Sequence, residues 1–175
     1  GGVLKDFSND EQSGNGISVA NGEFASAMNQ IQTQLGGGKL DILAWDCCLM
    51  GMWEVLDIAK NYANTAVVSE ETEGGDGWYY TNFLNSMNST PTLAAIDVCK
   101  AVINGTSGLD THSAIDLTQI PALTTKVNAL ADVLMAARPG ASAQISTALT
   151  NTQKFSTSYF TYFIDLADFA TKIKA

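Results

Sequence analysis

Two adjacent thiols and an aspartate stand out in this chain as Asp46-Cys47-Cys48. They follow the apolar run Leu40-Asp41-Ile42-Leu43-Ala44-Trp45 and precede Leu49-Met50-Gly51-Met52-Trp53. The run reads as a buried strand and the pattern after it as the start of a helix. A thiol at a strand-to-helix junction sits where a helix N-terminus favours the thiolate, and amides nearby can hold an oxyanion during acyl transfer. Cys48 is therefore the candidate nucleophile. Free cysteines are also common inert core residues, so position alone leaves both readings open.

Two further groups bear on this site. An acidic, glycine-rich stretch, Glu70-Glu71-Thr72-Glu73-Gly74-Gly75-Asp76-Gly77, follows a second strand-like run, Asn64 to Ser69. Charge runs of this kind are ordinarily solvated turns. The functional reading is that one or two carboxylates face a pocket and recognise a cation. The chain's one histidine, His112, opens a third strand-like run to Leu117. In a parallel sheet, a residue entering a strand lies at the rim opposite residues leaving one. That separates His112 from Cys48 by a strand length, ~15–20 Å, and predicts a surface or loop-packed histidine rather than a base.

The elements that must position these groups alternate between strand and helix. Residues 5–22 read as a polar surface loop. The Asp6/Ser8/Asp10 spacing lacks the turn glycine and terminal glutamate of a calcium loop. Asn21 is placed to cap a helix with Phe24, Met28, Ile31 and Leu35 on its apolar face, closed by Gly36-Gly37-Gly38. A second helix is predicted from Leu49 to Tyr62, and further helices over Trp78 to Met87, from Thr90-Pro91 to Gly105, and from Pro121 to Ala137. Pro139-Gly140 breaks the chain before helices over Ser142 to Gln153 and Tyr159 to Ile173. Strand-helix alternation implies a parallel sheet with both faces covered. Ligands then bind beyond the strands' carboxyl ends, where Asp46-Cys47-Cys48 and the Glu70 loop share one rim. Three strands are few for such a sheet, which ordinarily carries about 5–6. This predicts that part of the fold lies outside the chain.

Composition narrows the class. The 175 residues suffice for one core, and 46% hydrophobic against 15% charged residues reads as globular rather than disordered. The net charge of −9 argues against nucleic acid or anionic membrane as partner and suits a cationic ligand. Three cysteines, two of them adjacent, make neither a disulfide scaffold nor a zinc spacing. No apolar run reaches the ~18 residues of a membrane span.

Taken together, these stretches resemble the clostripain-like cysteine peptidases, in the clan of caspases, gingipains and separase. The resemblance is carried by Leu40 to Met52 and by Val68-Ser69-Glu70-Glu71-Thr72-Glu73-Gly74-Gly75-Asp76-Gly77-Trp78. Weaker echoes lie at Ser113-Ala114-Ile115-Asp116-Leu117 and Asp165-Leu166-Ala167-Asp168-Phe169-Ala170, so the similarity spans Gly1 to about Ala170. It implies a caspase-like three-layer α/β/α fold with a mostly parallel sheet. Residues 1–175 would form a single α/β domain, the C-terminal, heavy-chain-like portion of the peptidase.

The implied activity is that of a secreted or cell-envelope bacterial cysteine endopeptidase cutting after Arg or Lys. By motif the nucleophile is Cys48 and not Cys47, which stands where the family commonly has a small residue. Asp46 and Asp76 match carboxylates that line the pocket for a basic side chain, where a guanidinium makes bidentate, charge-assisted hydrogen bonds. No cofactor is implied, and calcium enters only through the resemblance. The implied partners are a peptide or protein substrate bearing Arg or Lys, and a light-chain-like N-terminal segment of the same precursor. The family's catalytic histidine sits upstream in a His-Gly-Gly-type segment, and Gly1-Gly2-Val3-Leu4 resembles the residues just after it. The chain alone is therefore expected not to cut. The competing reading is a pseudo-peptidase, a non-catalytic scaffold that binds cationic peptides. A doubly wound ligand-binding domain is disfavoured, because Gly36-Gly37-Gly38 precedes a strand where a phosphate fingerprint would follow one.

Overall fold

A computed structural model describes residues 6–106, 111–155 and 162–174. The glycines at the chain's start and the Tyr159 end of the last predicted helix lie outside these residues. The chain divides into two compact units, Gly1–Pro121 and Ala122–Ala175.

The first unit opens with a hairpin where a loop was expected. Strands β1 (Asp6–Asp10) and β2 (Asn15–Ser18) pair antiparallel. Asp10 builds the turn, its carboxylate accepting from the Gln12 N–H at 3.0 Å and the Ser13 hydroxyl at 2.6 Å. Its carbonyl accepts from the Gly14 N–H at 2.8 Å. Such Asx interactions close turns in polar sequence, which is why composition alone read as loop. Phe7 packs against the core.

Helix α1 (Glu23–Gln34) is entered through Gly22 in the left-handed conformation rather than through an Asn21 side-chain cap. The Glu23 carboxylate instead accepts from the Ser18 N–H at 2.8 Å and ties the helix to the hairpin. Of its predicted apolar face, Phe24 and Met28 are buried, while Ile31 and Leu35 are 45% and 58% exposed.

Three strands form the main sheet in the order β3 (Leu40–Ala44), β4 (Ala63–Ser69), β5 (His112–Asp116). β3 and β4 run parallel, with Leu40 opposite Ala63 and Ala44 opposite Val67. β5 runs antiparallel to β4, with Thr65 opposite Asp116 and Ser69 opposite His112. The α/β class holds, but the third strand is reversed from the expected direction. A short apolar run carries the same pattern read either way, so its direction is not encoded locally.

Central β4 is buried on both faces, and alternation splits its side chains between two clusters. Ala66 and Val68 join Phe24, Met28, Trp45, Val55 and Leu56 on one side, and Val67 joins Trp78, Cys99 and Val102 on the other. Phe24 anchors the first cluster, 5.5 Å from the Trp45 ring and edge-on to Phe7 and Tyr62. Helices α2 (Trp53–Ala59), α3 (Tyr80–Ser89) and α4 (Ala95–Gly105) complete the unit.

The second unit takes most of α5 (Ile120–Asn151), together with α6 (Leu166–Lys174). The helices predicted on either side of Pro139-Gly140 are one element with a kink, where Ala141 leaves helical geometry. The Asp165 carboxylate accepts from the Asp168 N–H at 2.7 Å, and Asp168 accepts from the Gln153 N–H at 2.7 Å.

Candidate active site

The chain leaving β3 does not enter a helix directly. Helix α2 starts only at Trp53 and has seven residues, so Cys48 lies in a turn ahead of it and not at a helix N-terminus. The reason is in the hydrogen bonds. The Leu49 N–H donates to the Glu71 carbonyl at 3.1 Å and the Gly51 N–H to the Ser69 carbonyl at 2.8 Å. Residues committed to these partners cannot also close helical turns.

The turn is tight enough to constrain its residues. Leu49 is buried and holds a left-handed backbone (φ 61°), which is costly for a leucine and persists only where the surroundings enforce it. A Cβ at Gly51 would lie 3.0 Å from the Ser69 carbonyl carbon and the Glu70 nitrogen, so only glycine lets the two segments approach.

The helix-dipole argument for Cys48 is thus replaced by a single amide. The Glu73 backbone N–H donates to Cys48 Sγ at 3.2 Å. The Cys48 thiol in turn lies 3.8 Å from the Glu73 carbonyl, so one residue's main chain holds the sulfur with both its donor and its acceptor. Cys47 points elsewhere, its Sγ 3.6 Å from the Phe7 carbonyl against the core. Burial pushes its thiol pKa up.

Asp46 lies two residues past β3, at the same rim. Its Oδ2 accepts from the Trp78 backbone N–H and the Tyr80 hydroxyl, both at 3.0 Å. Burial first, and then the bond to Asp46, raise the Tyr80 phenol pKa. Gly77, in a left-handed conformation, lies against this carboxylate. The Asp76 loop is thereby brought to Asp46, and Asp76 itself is exposed.

Two groups were missed or misplaced by sequence reasoning. Glu73 combines a nearly buried side chain with a main-chain link to Cys48 itself. The Trp78 indole N–H donates to its Oε2 at 3.0 Å, while Oε1 lies 3.7 Å from His112 Nε2. Burial pushes its carboxyl up to about 7; the Trp78 bond opposes this and the neighbouring Asp46 adds to it. His112 is not at the opposite rim. Because β5 is antiparallel, it stands beside Ser69, under the Trp78 ring at 4.8 Å. It is buried rather than at the surface, and burial lowers its pKa despite the opposing charge of Asp46. Neither ring nitrogen has a hydrogen-bond partner, so it makes no direct bond to Cys48. The sequence signal for this pairing was strand direction, which the pattern does not carry.

The site thus combines a thiol under a backbone amide, an oriented carboxylate and an acidic loop. The clostripain family model matches residues 3–175, nearly the whole chain. The chain belongs to the clostripain family. It is a cysteine peptidase of that family.

Solved structures agree on the fold. A cysteine protease of B. fragilis matches with a TM-score of 0.59 at 16% identity, over 96% of this chain and 68% of that one. A clostripain from Bacteroides thetaiotaomicron, in complex with the peptide inhibitor BTN-VLTK-AOMK, gives 0.58 at 15%, over 98% and 68%. A secreted cysteine protease from the same organism, in complex with an irreversible peptide inhibitor, gives 0.63 at 14%, over 99% and 49%. This chain therefore spans about two thirds of the first two and half of the third. At these identities the likeness establishes the caspase-like α/β fold. Among curated protein sequences, none matches the chain. Among the described residues, no group of three or more His, Cys, Asp or Glu is placed to hold a metal, and no helix is long and apolar enough to cross a membrane.

Proposed function

We propose that this clostripain-family protein is a secreted or cell-envelope endopeptidase that cleaves after Arg or Lys. Cys48 Sγ attacks the scissile carbonyl carbon, the amine leaves with a proton from a histidine, and water then hydrolyses the thioester. That histidine belongs to a segment upstream of Gly1, the light-chain-like part of the same precursor. This chain is the C-terminal, heavy-chain-like portion. Asp46 and Asp76 receive the basic side chain. Trp78 and Tyr80 both bond to Oδ2 of Asp46, and the other carboxylate oxygen is the one assigned to substrate.

The observation that carries this reading is the Glu73 N–H on Cys48 Sγ at 3.2 Å, on the rim where Gly77 meets Asp46. The burial of Cys47, which opposes its ionisation, supports Cys48 of the two thiols. The inhibitor bound by one relative reads VLTK and so carries a lysine, which supports a basic substrate. The test is hydrolysis of Arg- and Lys-ended fluorogenic peptides by this chain together with the upstream segment. Cys48→Ala abolishes it, and unchanged activity in that variant removes Cys48 as nucleophile.

One observation favours the alternative of a non-catalytic scaffold that binds cationic peptides. The chain's single histidine makes no hydrogen bond to the thiol. Peptide binding without turnover, with the upstream segment present, distinguishes it.

A further inference from the structure

The 70–77 loop reaches the thiol through one backbone amide, and the same residue sends its side chain inward. The Glu73 side chain is 4% exposed and that of His112 is 1% exposed, with Oε1 and Nε2 3.7 Å apart. Both atoms, and His112 Nδ1, lack a hydrogen-bond partner. Two buried polar groups facing each other are costly unless they interact. Around them the loop is fastened to β5. The Ser69 and Thr111 hydroxyls are 2.9 Å apart, and the Glu71 N–H donates to Thr111 Oγ1 at 3.0 Å. The Trp78 indole bonds to Glu73 Oε2, and its ring covers His112.

We propose that Glu73 and His112 are positioning residues, a buried pair sharing one proton that holds the 70–77 loop so that the Glu73 N–H stays on Cys48 Sγ. This rests on Cys48 as nucleophile. Neither side chain touches substrate; each acts on the thiol through the loop.

The charged and titratable groups facing the pair are few. Asp46 lies two residues past β3, Cys47 and Cys48 in the turn, and Tyr80 at the start of α3. The Asp46 charge favours a proton on either member of the pair. Burial raises Glu73 to about 7 and lowers His112, so near neutrality a single proton serves both.

The experiment compares wild type with Glu73→Gln, which keeps the shape and an acceptor for Trp78, and with His112→Gln, across pH. Two quantities are followed: iodoacetamide alkylation of Cys48 by mass spectrometry, and the imidazole proton resonances of His112, assigned by their loss in His112→Gln. In wild type both show a step near pH 7, the Glu73 titration. In Glu73→Gln both steps vanish. Alkylation at neutral pH falls about tenfold in His112→Gln, the size of one hydrogen bond to a charged group. The double variant falls no further than the worse single one, as coupled residues require.

Identical profiles in wild type and Glu73→Gln, or additive losses, overturn the proposal. Should Glu73→Gln fail to fold, a wild-type His112 titration with no step near pH 7 overturns it equally. Peptide hydrolysis that survives Cys48→Ala removes the nucleophile assignment instead, and leaves the His112 resonances to report on the pair.

Discussion

Gly77 packs so closely on Asp46 that a Cβ at position 77 would lie 2.9 Å from the Asp46 Oδ2. The contact joins the chain leaving β3 to the acidic loop, and it requires both a missing side chain and a left-handed backbone (φ 69°). Gly77→Ala is therefore expected to push the loop off Asp46. The left-handed alanine costs about 1–2 kcal/mol. kcat/KM for Arg- and Lys-ended peptides should fall by about tenfold, since the loop both meets Asp46 and carries the amide on Cys48. Steady-state kinetics and thermal melts read the two effects separately.

Asp46→Asn keeps an acceptor for the Trp78 N–H and the Tyr80 hydroxyl, so the rim stays folded. It removes the charge. Specificity constants toward Arg- and Lys-ended peptides are expected to fall about a hundredfold, the scale of an uncompensated buried charge on the substrate. An uncharged substrate should lose much less. Equal losses on both would take Asp46 out of side-chain recognition.

Gly51→Ala places its methyl against the Ser69 carbonyl carbon and the Glu70 amide, backbone atoms that cannot rotate away. A loss of about 1–3 kcal/mol is expected from the forced separation of the two segments. Urea unfolding measures it. Cys48 alkylation should fall in parallel, because the same displacement draws Glu73 off the sulfur.

The raised Glu73 carboxyl gives stability a definite pH dependence. The folded chain holds this proton more tightly than the unfolded chain does. Its contribution is fully present below the ordinary glutamate value of 4.5 and is lost as pH rises to about 7. His112, lowered by burial, acts in the opposite sense: stability is gained as pH rises towards its ordinary value of 6.5. Glu73→Gln deletes only the first term. Its melting temperature relative to wild type is expected to climb between about pH 4.5 and about pH 7 and then stay level. A constant difference across that range would mean the carboxyl titrates normally.

Phe24→Ala removes the ring at the centre of the Phe7, Trp45 and Tyr62 cluster. The expected cost is about 3–5 kcal/mol. Ile31→Ser, about two turns along the same helix but exposed, should stay within about 0.5 kcal/mol. Chemical denaturation of the two variants side by side shows where the apolar face of α1 stops being core.

The rim that carries the candidate site was legible in the sequence. Leu40 to Trp45 and Asn64 to Ser69 are short apolar runs between breakers, and burial leaves them little choice but strands. The rim followed from those two strands, and with it the meeting of Asp46 with the Asp76 loop. What was not legible has physical causes. The direction of β5 depends on how the chain returns to the sheet, and reversing it moved His112 from the far rim to Ser69. The late start of α2 depends on long-range hydrogen bonds of Leu49 and Gly51, whereas local apolar spacing favoured helix from Leu49. Neither kind of information is local. In the second unit, Pro139-Gly140 read as a break because proline removes a helical hydrogen bond, and the kink at Ala141 absorbs that loss.

Glu73 serves the thiol with its main chain and the interior with its carboxyl, and the two contributions respond differently to substitution. Alanine at position 73 would remove the carboxyl and keep the amide, so it tests the anchoring of the loop and not the donor itself. Only proline deletes the amide donor. Every other residue at position 73 keeps the donor, and its side chain decides how firmly the loop holds that donor on the sulfur. The donor is written into the backbone, while its aim depends on the side chains that fasten the loop.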